Sequence, residues 1–159
     1  MKRRSSLIAL AAGVLLAACA TTPAPAPLAD ILAREPQLST FNRLVAQAGL
    51  ANELRAAGPL TVFAPSDEAF KAVPAKTMEA LAADPAQLKA VLSHHIVDGR
   101  IAAADVKTGP LKTRQGATLA LAKAGSFVTV DEAVVQQVDI TATNGVAHIV
   151  DRVLMPPKK

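Results

Sequence analysis

The residues of this chain able to carry chemistry are few, and their spacing limits what they can do. The candidate ligands and nucleophiles are one cysteine, Cys19, three histidines (His94, His95, His148) and serines such as Ser66, Ser93 and Ser126. A lone cysteine makes neither an internal disulfide nor a thiolate metal site. His94 and His95 are adjacent, and neighbouring side chains diverge on a helix or a strand, so the pair does not face one ion. A metal site would have to add His148 and carboxylates such as Asp98 or Asp151, at no recognisable ligand spacing. None of the three serines sits in a Gly-x-Ser-x-Gly elbow, and Pro65-Ser66-Asp67 reads as a turn and helix cap. Phosphate-binding glycine spacings are absent from the sequence. Asp67-Glu68 and Asp131-Glu132 read as solvated turns. The expectation is a protein that is not an enzyme, with no catalytic residues, no metal and no cofactor.

What Cys19 can do is set by its neighbours. Lys2, Arg3 and Arg4 form a basic start, an apolar run follows from Leu7, and Leu16-Ala17-Ala18-Cys19 places small residues before the thiol. That order is the pattern of an export signal over residues 1–18. The run from Leu7 to Ala20 is shorter than the ~20 residues that cross hydrocarbon. Leu-Ala-Ala-Cys resembles a bacterial lipobox, which implies diacylglycerol on the Cys19 sulfur and an acyl chain on its amine. More than one chain is what stable anchoring requires. Ala20, in place of an aspartate, resembles the outer-membrane address. Residues 19–27 then form a lipidated cysteine and spacer, in which Pro23, Pro25 and Pro27 favour extended backbone. The expected location is outside the cytoplasm, on the outer membrane, facing the periplasm or the cell surface.

Cleavage changes the charge argument. Without Lys2, Arg3 and Arg4, the 17 basic side chains fall to 14 against 13 acidic ones. No basic stripe remains to release counterions, and the absence of Trp and Tyr removes platforms for stacking bases. Nucleic acid is not an expected partner.

The elements positioning the histidines change character along the chain. Leu28, Ile31 and Leu32 share a helical face that ends at Pro36. Ser39 reads as the cap of a helix bearing Phe41, Leu44 and Val45. Leu60–Ala64 is an apolar, β-branched run between two prolines and suits a buried strand. Short helices are expected over 67–71 and 75–82, and Asp84-Pro85 opens another through Leu88, Val91 and Leu92. Beyond Gly99 the period becomes two, with strands expected over 111–113, 118–122, 127–131, 138–141 and 147–155. Asn144-Gly145 is a tight-turn signal. Helices first and strands later predict a single α+β domain over 28–157 with a helix-rich N-terminal half.

Three segments, in order, resemble the fasciclin domain. Thr61-Val62-Phe63-Ala64-Pro65-Ser66-Asp67-Glu68-Ala69-Phe70 is similar to its first box, and the segment from Asn144-Gly145-Val146-Ala147-His148 to Pro156 to its second. Leu88 to Gly99 is similar to its Tyr-His segment, with His94 standing where the family has tyrosine. The resemblance implies a helix-rich N-terminal half packed on a mixed β-sheet wedge and non-catalytic binding or adhesion, and the missing tyrosine argues against the integrin-dependent form found in animals. His95 takes the family histidine's place, which implies a buried, hydrogen-bonded role. It is expected near Asp98-Gly99 or the closing strand, with His94 more exposed. His148, Pro65, Asn144 and Gly145 are the other motif positions. The expected partner is an envelope protein or polymer, met by the loop from Ile96 to Lys107 through Asp98, Arg100 and Asp105. The alternative is carriage of a small apolar ligand, a carotenoid or a lipid.

The anchor can be tested directly. Cys19→Ser leaves the chain unprocessed or released, whereas the wild type partitions with membranes into detergent. Ala20→Asp shifts it toward the inner membrane of a Gram-negative host. An acyl-free, soluble mature wild-type protein would overturn the assignment.

Overall fold

A sheet with apolar side chains on both faces must be covered twice, and this chain does so with helices on one side and with its own curled strands on the other. The computed structural model describes residues 24–156. Cys19, the signal and the spacer up to Pro23 lie outside the described residues. The helices come mostly first: α1 Leu28–Arg34, α2 Ser39–Gln47 and α3 Ala51–Arg55, then strand β1 Leu60–Pro65, then α4 Asp67–Lys71, α5 Ala75–Ala83 and α6 Pro85–His94. The strands follow: β2 Ile96–Asp98, β3 Gly109–Lys112, β4 Thr118–Ala124, β5 Phe127–Val130, β6 Ala133–Ala142 and β7 Gly145–Val150. Their order across one sheet is β2-β1-β7-β6-β5-β4-β3. The β1–β7 pair is parallel and the others are antiparallel, which makes the sheet mixed. The expected α+β class is the observed one.

Alternation along β1 and β7 divides the interior in two. Leu60, Val62, Ala64, Ala147 and Ile149 face a core shared with the helices, including Leu28, Phe41, Leu88 and Leu92. Phe63, Val97 and Val150 face the other way, where Leu119, Leu121, Val128 and Val130 of β4 and β5 fold over them. The two sheet edges then approach each other. The Arg114 backbone N–H donates to the Ile96 carbonyl at 2.9 Å, and the Arg114 guanidinium meets the Asp98 carboxylate at 2.8 Å.

Several helix ends read as expected. The Ser66 hydroxyl accepts from the Ala69 N–H, and the Asp84 carboxylate accepts from Ala86 and Gln87 ahead of Pro85 at the first helical position. Ser39 differs. It is the first residue of α2 and makes no cap of its own helix. Its hydroxyl donates to Asp67, whose other oxygen accepts the Thr40 N–H at 2.8 Å. Asp67 is therefore a tie between α4 and α2, not a solvated turn. Burial raises its pKa, but the bonds from Thr40 and Ser39 outweigh that and hold it below the usual carboxylate range.

The strands differ in extent from the sequence reading. The closing strand ends at Val150 instead of running to Met155, and β6 is longer than expected, with register shifts on both sides of Gln137. β2 was not expected, and only its pairing with β1 defines it. Ala26 is 8% exposed and its carbonyl accepts the Thr143 N–H, so packing begins inside the proline-rich stretch, ahead of Leu28.

Asn144, in the β6–β7 turn, ties that corner together. Its Oδ1 accepts the Leu28 N–H at 2.8 Å, serving the N-terminus of α1 from 116 positions away. Its Nδ2 donates to the Leu54 and Ala56 carbonyls at the end of α3, each at 2.8 Å. These are orphan groups that helix ends leave open. Gly58 and Gly145 allow the approach. A Cβ on Gly58 would run into the Asn144 carbonyl, and one on Gly145 into the Leu60 carbonyl and the Leu28 side chain. Asn144→Ala should lower the unfolding free energy by about 2–3 kcal/mol, the consequence of stranding partly buried groups. Urea titration checks this, and Asn144→Asp should be no better, since a carboxylate cannot donate to two carbonyls.

Candidate functional site

The three histidines are all buried, and each has a different task. His95 is 0% exposed. Its Nε2 accepts the Leu154 N–H at 2.9 Å, so the proton sits on Nδ1, which donates to the Val91 carbonyl at 2.8 Å. It thereby fastens α6 to the segment after β7. His94, expected to be the more exposed, is 1% exposed. The turn after β3 brings Thr113 over it, with the hydroxyl 3.4 Å from Nδ1. His148 is 2% exposed and stacks on Phe63 of the neighbouring strand, ring centres 5.5 Å apart. Its Nδ1 accepts the Asp139 N–H, so its Nε2 donates to the Ile101 carbonyl at 2.8 Å.

That last bond leads to the surface. The segment after β2 is a loop held from several elements at once. The Thr61 hydroxyl donates to Gly99 and accepts from the Ile101 N–H. The Asp139 carboxylate accepts the Ala103 N–H at 2.7 Å, and the Lys123 ammonium donates to the Ala103 and Ala104 carbonyls. Asp139 adopts φ 57° within the irregular part of β6, which brings its N–H to His148 and its carboxylate to the loop. Val106 is buried and anchors the far end. Arg100, Asp105 and Lys107 remain exposed on this framework, and Asp105 and Lys107 border a shallow concavity of about 390 Å³ that includes Ile101, Pro110 and Leu111.

The structure treats the sequence's contact residues unequally. Asp98 is drawn into an ion pair with Arg114, while no ion pair is formed by Arg100 or Asp105 among the described residues. Ile96 and Val97, expected as the start of an exposed loop, are core residues of β2. Sequence reasoning missed Thr61, Lys123 and Asp139, which pin the loop. No local signal marks them, because their partners are distant in sequence. His148 and Asp151 do not meet, since Asp151 accepts the Val134 N–H. Pro65 ends β1 against Val150.

A larger open groove, about 1250 Å³, lies beside α4, α5 and α6 and is lined by Val73, Leu81, Val91, Val153 and Met155 among others. Among the described residues, no cluster of three or more metal-binding side chains occurs, and no helix is long and apolar enough to cross a membrane.

Comparison with known proteins agrees with this geometry. The model of the fasciclin domain matches residues 36–156. Protein sll1483 of Synechocystis is 36% identical over 140 residues, covering 87% of this chain and 78% of that protein. Immunogenic protein MPB70 of Mycobacterium bovis is 32% identical, covering 82% and 69%. Transforming growth factor-beta-induced protein ig-h3 of Sus scrofa is 34% identical over 80% of this chain, which spans only 19% of that longer protein. A solved FAS1 domain pair from the insect cell adhesion molecule Fasciclin I superposes with a TM-score of 0.68 at 17% identity, over 82% of this chain and 51% of that one.

The histidines carry a pH dependence of known sign. Burial lowers all three pKa values, and that of His95 falls from 6.5 to about 4. The folded chain therefore binds fewer protons than the unfolded one between those values. The contribution of neutral, buried His95 to stability is full above about pH 6.5 and is lost as pH falls toward 4. In His95→Gln the slope of unfolding free energy against pH should fall by up to about 1.4 kcal/mol per unit. His95→Ala should cost about 1–3 kcal/mol by stranding its partners and, contrary to the sequence expectation, His94→Ala a comparable amount through the space its buried ring leaves. Denaturant titrations across pH 4–8 give both readings.

Proposed function

The chain belongs to the fasciclin domain family, and from that premise we propose that it is a non-catalytic binding module, held to the outer membrane by a lipid on Cys19. In this reading it engages an envelope protein or polymer through the loop that follows β2. The observation that carries the reading is the pinned loop itself. Its backbone is fixed by Thr61, His148, Asp139 and Lys123, yet it exposes Arg100, Asp105 and Lys107. A surface ordered in advance loses less conformational entropy on binding.

The tether bears on where such a partner sits. The described chain begins next to the Asn144 corner, where Ala26 bonds to Thr143. Asp98, Leu60 and Gly145 lie side by side across β2, β1 and β7. Asp98 is thus two strand spacings, about 10 Å, from that corner. A partner that meets the loop at its Asp98 end would then lie toward the tethered end of the domain. Adhesion at a distance would favour the opposite end, near Arg152 and Met155. The insect relative's name as a cell adhesion molecule supports a binding role in general. The carrier alternative has no support from the comparisons.

Crosslinking the lipidated protein in intact cells decides the matter. A reproducible partner lost on Arg100→Ala with Asp105→Ala, in a variant of unchanged melting temperature, is the expected result. Asp98 joins them as a weaker contributor, because Arg114 already engages it. Retention of the partner by the double variant, or a purified protein that carries pigment or lipid and no partner, overturns the reading.

A further inference from the structure

The sequence contains three asparagines, and only one of them precedes glycine. In Asn-Gly the next residue has no Cβ to shield its backbone nitrogen, which can attack the asparagine side-chain carbonyl carbon. Asn42 and Asn52 are followed by Arg43 and Glu53 and are better shielded. Asn144-Gly145 is therefore the position where this chain is chemically most exposed to succinimide formation, and it is also the corner on which α1, α3 and β7 converge.

We propose that Asn144-Gly145 is a latent deamidation site that the native fold keeps silent and that converts any lasting opening of this corner into irreversible damage. The reaction is balanced with water alone. The Gly145 nitrogen forms a bond to Asn144 Cγ and loses its proton, the Cγ–Nδ2 bond breaks, and ammonia leaves. Hydrolysis of either carbonyl of the resulting ring then gives aspartate or isoaspartate. No oxidant or reductant is involved.

The folded structure blocks the first step. Attack needs the side chain to swing over Gly145 N, but Oδ1 is held by Leu28 and Nδ2 by Leu54 and Ala56, each at 2.8 Å. The Asn144 carbonyl is held by Leu60, and Gly145 is buried between Leu60 and Ala142. The products cannot restore these bonds. Aspartate has no donor for the Leu54 and Ala56 carbonyls and brings a charge beside them. Isoaspartate inserts an extra backbone carbon into the turn that sets the β6–β7 register.

The test is to hold the mature protein at mildly alkaline pH, with and without denaturing urea, and to quantify deamidation by peptide mapping. The expected result is modification at residue 144 in urea, slower by more than about tenfold in native buffer, because reaction waits on local opening. Leu28→Ala, which loosens the corner, should narrow that gap. Chains deamidated in urea should refold with a lower melting temperature than wild-type chains unfolded only briefly, whereas Asn144→Gln should show no further fall on ageing. Native and unfolded rates within about twofold, no preference for residue 144 in urea, or deamidated chains that refold to full stability would each overturn the proposal.

Discussion

The closing strand β7 meets no water on either face, and the rest of the structure is arranged around that fact. All six of its residues are buried, so every polar group on it or at its entry must find a protein partner or cost about 1–3 kcal/mol. Asn144 at its entry finds α1 and α3. His148 in its middle finds Asp139 on one side and the loop at Ile101 on the other. Val150 at its exit accepts the Ser66 N–H that leads into α4. The requirement to satisfy one buried strand thus joins α1, α3, β6, the surface loop and the start of α4, and the two apolar cores on its faces supply the burial that makes the requirement strict.

Much of the fold is legible where the signal is local. The prolines and β-branched residues around Leu60–Ala64, the Asp84-Pro85 helix start and the alternation over 118–131 each announce their element within a few residues. Legibility fails where a partner is distant. Ile96-Val97-Asp98 is too short to show a period and is a strand only because β1 lies beside it. His94 and His95 are equally polar neighbours in sequence. His94 is buried because the curled sheet returns Thr113 to it. Ser39 looks like a cap, but Asp67, 28 positions on, takes its hydroxyl. At the candidate site, Arg100 and Asp105 were visible as charges in a segment of small residues, whereas the groups that fix them were not. Asn144 was readable as a turn residue, and its service to two helix ends was not.

The surface loop is consequently not an appendage. Its pin, His148, is the same side chain that stacks on Phe63 and receives the N–H of the irregular β6 residue Asp139. Asp139 in turn reaches the loop with its carboxylate. Loosening the loop therefore means stranding a polar group inside the sheet, and a change that unsettles β6 is felt at Ile101 and Ala103. This coupling explains how a segment with little regular structure of its own holds one conformation. Two of its exposed charges, Arg100 and Asp105, form no ion pair among the described residues. An exposed pair between them would in any case contribute little to stability. Their positions on a framework that the core determines are what the binding surface proposed above requires.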